Sequence, residues 1–118
     1  MTSPAMKDSP ALMRDLRWSP AEKALARKVF ESALLQELEA VVREAKEMAA
    51  KIEQVSDVWE LESYLTQRRQ EIDRQYDYRY SVLPEVFGNL IRKGRLREED
   101  LRGLGDDKLD YIRAYAKF

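Results

Sequence analysis

SPAEKALARKVFESALLQELEAVVREAKEMAAKI, residues 19–52, holds no glycine and no proline after Pro20. Ser19 suits a helix N-cap, Pro20 the first helical position, and Glu22 completes a capping box. Leu34, Leu38, Val41, Ala45, Met48 and Ile52 then follow 4-3-4-3-4 spacing, and Leu35, Val42 and Ala49 widen the stripe. Glu37, Arg43, Glu44, Lys46, Glu47 and Lys51 are assigned to the opposite face. The pattern predicts one amphipathic helix from 20 to about 53.

At about 1.5 Å per residue this helix is roughly 50 Å long. A compact chain of 118 residues has a radius of gyration of only about 13–14 Å. The helix therefore overhangs its own globule, and its apolar stripe needs a cover there. The stripe is wider than a coiled-coil seam, so it can meet both its own chain and a second copy. A homodimer is expected, with Leu34, Leu35, Leu38, Val41, Val42, Ala45, Met48, Ala49, Ile52 and Trp59 at its interface. The alternative is a helix broken near 53 and folded back as a monomeric hairpin.

Downstream, Ser56-Asp57 opens a second helix, with Asp57 and Glu60 as a capping box. Val58, Leu61, Leu65 and Ile72 carry its apolar pattern, and Arg68 and Arg69 fill the skipped heptad position. Tyr76-Asp77-Tyr78-Arg79-Tyr80 alternates like a strand, but a lone strand has no partner. It is read as helical. Pro84 opens a third helix over about 84–93, burying Val86, Phe87, Leu90 and Ile91 and stopping at Gly94. A short helix at Glu98–Leu101 closes at Gly103 and Gly105, and Asp106 or Asp107 caps a last helix with Leu109, Ile112 and Ala116. The fold expected is all-α: long antiparallel helices forming a dimeric stalk, plus a small C-terminal helical head. Residues 1–17 are expected as a disordered tail, 18–81 as the long-helix dimerisation part and 82–118 as the head.

Composition excludes several chemistries. The chain has neither Cys nor His, so thiol nucleophiles, disulfides, His-ligated metal and imidazole catalysis are out. Its net charge is −1, from 21 basic and 22 acidic residues, which argues against general polyanion binding. Arg92, Lys93, Arg95 and Arg97 form a small basic cluster, but an acidic run follows at once; no nucleic acid is expected. Charges interrupt every apolar run, so no membrane span is expected, and the first 20 residues do not read as a signal peptide. Most carboxylates fall on solvated helix faces, and none stands out as a catalytic acid. A more informative group is Trp59, Glu62, Ser63, Arg68, Arg69 and Asp73: an aromatic beside an arginine with nearby acids has the composition of a protein–protein hot spot. The bland reading is a Trp in a dimer core and an Arg69–Asp73 ion pair.

Several runs carry a family resemblance: Trp18-Ser19, Ser56-Asp57-Val58-Trp59-Glu60-Leu61, Arg68 through Val82, Leu101-Arg102-Gly103-Leu104 and Asp107-Lys108-Leu109. Over about 18–113 the chain resembles the fluorescence recovery proteins of cyanobacteria. The resemblance implies an all-α homodimer without cofactor, metal or conventional enzyme activity. It implies binding of light-activated orange carotenoid protein and acceleration of its return to the inactive orange form, which ends photoprotective quenching at the phycobilisome. The implied location is cytoplasmic, peripheral to thylakoids in a cyanobacterial host. The implied partner-binding residues are Trp59, Glu62, Ser63, Arg69 and Asp73, with Glu85 and Lys108 in the head. The family's Trp and key Arg fall on Trp59 and Arg69. Glu62-Ser63 stands where the family usually has His-Asp, Glu85 after Pro84 where it has an aromatic, and Tyr111 where some members have Lys. These departures leave open an adaptor dimer of the same fold, with a different protein partner, in a bacterium lacking phycobilisomes.

Overall fold

The structure, a computed structural model, describes residues 13–117. Helices α1 (Pro20–Ala50), α2 (Val55–Gln75), α3 (Leu83–Arg92) and α4 (Asp106–Ala116) follow in order, with a 3₁₀ turn at Glu98–Leu101 between α3 and α4. There is no strand among the described residues, so the fold is all-α. The tail expected over 1–17 lies outside the described residues as far as 12. Beyond that point Met13 is buried, at 3% exposure.

The start of α1 follows its sequence signals. Ser19 Oγ accepts from the Glu22 amide at 3.1 Å, and the Glu22 carboxylate accepts from the Ser19 amide at 2.9 Å. The chain reverses over residues 51–54, and α2 returns antiparallel along α1, bringing Arg68 to Glu37 and Tyr76 to Ala33. Two details of the second start differ from expectation. The helix begins at Val55 behind Gln54, and Asp57 is its third residue. The Asp57 carboxylate turns back to accept from the Glu53 and Gln54 amides at 2.9 and 3.1 Å, which holds its pKa below the ordinary carboxylate value. It caps from inside the first turn, where a carboxylate meets the most free N–H groups.

The hairpin is long and the head is small. The radius of gyration is 17.7 Å and the extents are 64 × 27 × 20 Å. Head and stalk share α1: Ala26, Val29, Phe30 and Ala33 join Leu83, Val86, Phe87, Leu90, Leu96, Leu101, Leu104 and Ile112 in one core. Within it α3 and α4 approach so closely that a Cβ on Gly88 would sit 2.5 Å from the Tyr115 Cβ and 2.7 Å from the Ile112 carbonyl oxygen. Gly94, at φ +75°, stops α3 in the left-handed region that glycine enters without strain.

The helical reading of residues 76–80 is overturned. Helix α2 ends at Gln75, and residues 76–79 run without regular secondary structure. Tyr76, Tyr78 and Tyr80 pack on the core. Phe30 meets Tyr76 and Tyr78 edge-on at 5.6 and 4.9 Å, Tyr78 meets Tyr80 at 5.5 Å, and Tyr80 meets Trp18 at 5.4 Å. Arg27 lies 3.9 Å over the Tyr78 ring. Between the rings Asp77 and Arg79 pair at 2.6 Å. The period of two is real, but the alternate side chains grip the side of a helix, so no strand partner is needed.

An ion-pair clasp ties the start of α1 to the start of α4. The Glu22 carboxylate also accepts from the Gly105 amide at 2.7 Å and from Lys108 Nζ at 3.1 Å. Lys108 Nζ donates further to the Arg17 carbonyl and to Asp107 at 3.2 Å. Burial alone would push Glu22 up, but the Ser19 and Gly105 amides and Lys108 hold its pKa down to about 2.

Candidate protein-docking face

The candidate residues of α2 fall together. At about 100° per residue, positions 59, 62, 63, 69 and 73 lie within roughly 120° of one face. Trp59, Glu62, Ser63, Arg69 and Asp73 are all exposed, and Trp59 keeps 63% of its surface. Glu62 accepts from Thr66 Oγ1 at 2.7 Å. The Arg69–Asp73 pair of the bland reading does not form: among the described residues no carboxylate stands at ion-pair distance from Arg69. The neighbouring arginine takes that role, since Arg68 pairs with Glu37 and reaches Glu71 at 3.7 Å. The Arg69 fork thus points out with its donors unspent by ion pairing, which suits recognition of a carboxylate or carbonyl. Beside Trp59, Ser56, Ser63, Tyr64 and Gln67 line a shallow depression of about 480 Å³.

An open apolar face adjoins this group. The α1 stripe divides: Leu34, Val41, Ala45, Met48 and Ile52 are half-buried, whereas Leu35, Leu38, Val42 and Ala49 are exposed. Exposure is 58% at Leu35, 43% at Leu38 and 51% at Val42, and on α2 it is 43% at Val58 and 40% at Leu65. The row that includes Ala33, Glu37 and Val41 faces α2, because Glu37 and Ala33 meet Arg68 and Tyr76. Rotation about two antiparallel helices then puts the Leu35–Val42 row and Val58 and Leu65 on the same side of the hairpin. Glu62, Arg69 and Asp73 rim this side, and Trp59 stands at its outer edge.

Head residues are placed elsewhere. Glu85 is half-buried in the first turn of α3. Lys108 is only 4% exposed and its ammonium is held by Glu22, Asp107 and Arg17. A surface contact through Lys108 is therefore corrected to an internal one. The basic cluster is also divided: Arg92 donates to the Tyr115 carbonyl at 3.4 Å, Arg95 approaches Glu37 at 3.2 Å, and Arg97 approaches Glu99 and Asp100 at 3.6 and 3.9 Å.

Sequence reasoning misplaced Glu37. It is 2% exposed and joins stalk to head, pairing with Arg68, lying 3.2 Å from Arg95 and accepting from the Tyr76 hydroxyl at 3.0 Å. Burial opposes its charge, but the two guanidinium groups and the hydroxyl outweigh this and lower its pKa. The same charge, with burial, pushes the Tyr76 hydroxyl up. A signal was available: Glu37 is four residues after Ala33 and four before Val41, on the face toward α2. Among the described residues no cluster of acidic side chains is placed to hold a metal, and no helix is long and apolar enough to cross a membrane.

Comparison with known proteins places this geometry. Residues 18–116 match the family described as photoprotection regulator fluorescence recovery protein. The fluorescence recovery protein of Synechocystis sp. PCC 6803 is 37% identical over 100 residues, 85% of this chain and 92% of that protein. The solved structure of the Fremyella diplosiphon fluorescence recovery protein is similar with a TM-score of 0.82 at 37% identity, covering 86% of this chain and all of the other. That of the Synechocystis protein has a TM-score of 0.82 at 36% identity, with the same coverage.

Proposed function

The chain belongs to the fluorescence recovery protein family, whose members are photoprotection regulators, and on that premise we propose that it acts as a homodimer that binds light-activated orange carotenoid protein, or a related carotenoid-binding domain, and speeds its return to the inactive orange form. One observation carries the proposal: an exposed Trp59 and an ion-pair-free Arg69 stand on the same helix face beside an uncovered apolar row. The row supplies the self-complementary surface of a two-fold dimer. The rim supplies the anchors of a protein hot spot, a rigid aromatic and a planar donor fork.

The mechanism is differential affinity. A regulator that binds a compact arrangement of the two carotenoid-protein domains better than the separated one lowers the barrier between them by that difference. Such a role is non-enzymatic, and a cytoplasmic location suits it.

The test is the dark recovery rate of photoactivated orange carotenoid protein with and without this chain. Acceleration at low stoichiometry is expected, and Arg69→Leu should abolish it while helicity and dimerisation persist. No acceleration by a folded dimer would overturn the proposed partner and turn attention to the adaptor reading, to which the Glu62-Ser63 departure points. Unchanged acceleration by Arg69→Leu would remove Arg69 from the docking face.

A further inference from the structure

The basic cluster that the proposed function leaves unused borders a trough in the head. Its volume is about 500 Å³, and it runs between α1 and residues 94–100. Leu25, Val29, Ala33 and Leu96 form an apolar floor, with Ser32 and Gln36 on the α1 wall. Three cations stand around it, Lys28, Arg95 and Arg97, against one acid, Asp100. Arg95 is partly tied to Glu37, at 3.2 Å. Arg97 remains 75% exposed, and its approaches to Glu99 and Asp100, at 3.6 and 3.9 Å, are loose. Such solvated pairs contribute at most about 1 kcal/mol and yield readily to a better acceptor.

The trough is separate from the docking face. Lys28, Val29, Ser32 and Gln36 lie roughly 100° around α1 from the Leu35–Leu38–Val42 row, and nearer the head. A chain of net charge −1 has no general attraction for anions, so the excess of positive charge here is local.

We propose that this trough is a second docking site, which takes a peptide segment of a protein partner carrying an apolar anchor next to acidic residues. The apolar side chain would cover Leu25 and Leu96, and the carboxylates would replace Glu99 and Asp100 as partners of Arg97 and meet Lys28. Charge complementarity of this kind sets register and speeds encounter. An open trough suits a segment of chain better than an enclosed small molecule. A nucleic acid is disfavoured because only three cations border the trough, next to the acidic Asp100, on a chain of net charge −1, which is too short a patch for a continuous cationic track.

The experiment is a fluorescence anisotropy titration of the full chain with a fluorescein-labelled peptide bearing a Leu-Leu pair followed by a run of Glu. The controls are the same peptide with Lys for Glu and a labelled single-stranded oligonucleotide. Binding of the acidic peptide alone, weakening as salt rises, is expected. Lys28→Glu/Arg97→Glu, which alters only exposed side chains, should weaken it by about ten-fold or more with an unchanged melting temperature. Amide shifts on peptide addition should centre on Ser32, Gly94 and Leu96. Equal binding of the two peptides, indifference to the double substitution, or shifts centred on α2 would overturn the proposal. So would tighter binding of the oligonucleotide. None of these outcomes depends on the carotenoid-protein assay.

Discussion

Replacing Glu22 by Gln probes the clasp between α1 and α4. The Glu22 carboxylate accepts from two backbone amides, at 2.9 and 2.7 Å, and from Lys108 at 3.1 Å, and its residue is 8% exposed. Its pKa falls from 4.5 to about 2 on folding. At about 1.4 kcal/mol per pH unit that difference is worth roughly 3 kcal/mol. Because the folded value is the lower one, this stability is fully present above about pH 5. It is lost as pH falls through 4.5 toward 2. Gln keeps the shape and one of the two acceptor oxygens but not the charge, and it leaves Lys108, 4% exposed, with a weaker partner. Urea unfolding at pH 7, at matched protein concentration, should therefore show Glu22→Gln about 3 kcal/mol less stable. Its stability should also fall less steeply than the parent's between pH 5 and pH 2. Equal stability at pH 7 together with an unchanged acid slope would refute the reasoning, and would mean that Glu22 is as well solvated in the folded chain as in the unfolded one.

Two further substitutions probe the packing and the open face. Gly88→Ala should destabilise the head by about 3 kcal/mol, read as a lowered urea midpoint, because the new methyl meets the Tyr115 Cβ and the Ile112 carbonyl, neither of which is the flexible end of a side chain. Val42→Glu, in the middle of the uncovered row, should convert dimer to monomer in light scattering, weakening association by about 100-fold; a persistent dimer would remove that row from the interface.

Much of this architecture is written in local signals. Ser19, Pro20 and Glu22 are short-range instructions, and they are obeyed to the residue. The apolar stripe, Pro84 and Gly94 are of the same kind. The misreadings have a common cause, which is that the deciding partner is distant in sequence. Tyr76 and Tyr78 leave the helical path because Phe30, more than 40 residues earlier, receives their rings, and Tyr80 follows them onto Trp18. Glu37 reads as a surface acid until Arg68 and Arg95 arrive from two other segments. Lys108 reads as a surface cation until Glu22 closes on it. The shared face of Trp59, Glu62, Ser63, Arg69 and Asp73 was easier to read, because they lie on one continuous helix and their grouping follows from helical rotation alone.

Helix α1 enters the head core at Ala26–Ala33 and continues without a break into the stalk, while the Tyr76–Tyr80 strap fastens the returning chain to the same helix. The seam with Glu37, Arg68 and Arg95 closes the join a third time. A body fixed in this way behaves as a gauge. The span from the Trp59 tip to the trough beside Arg97 is set by the length of one helix and not by a flexible joint. A partner touching both ends gains the second contact only in those of its own conformations that match the span, so the chain would select partner shapes by length as well as by chemistry.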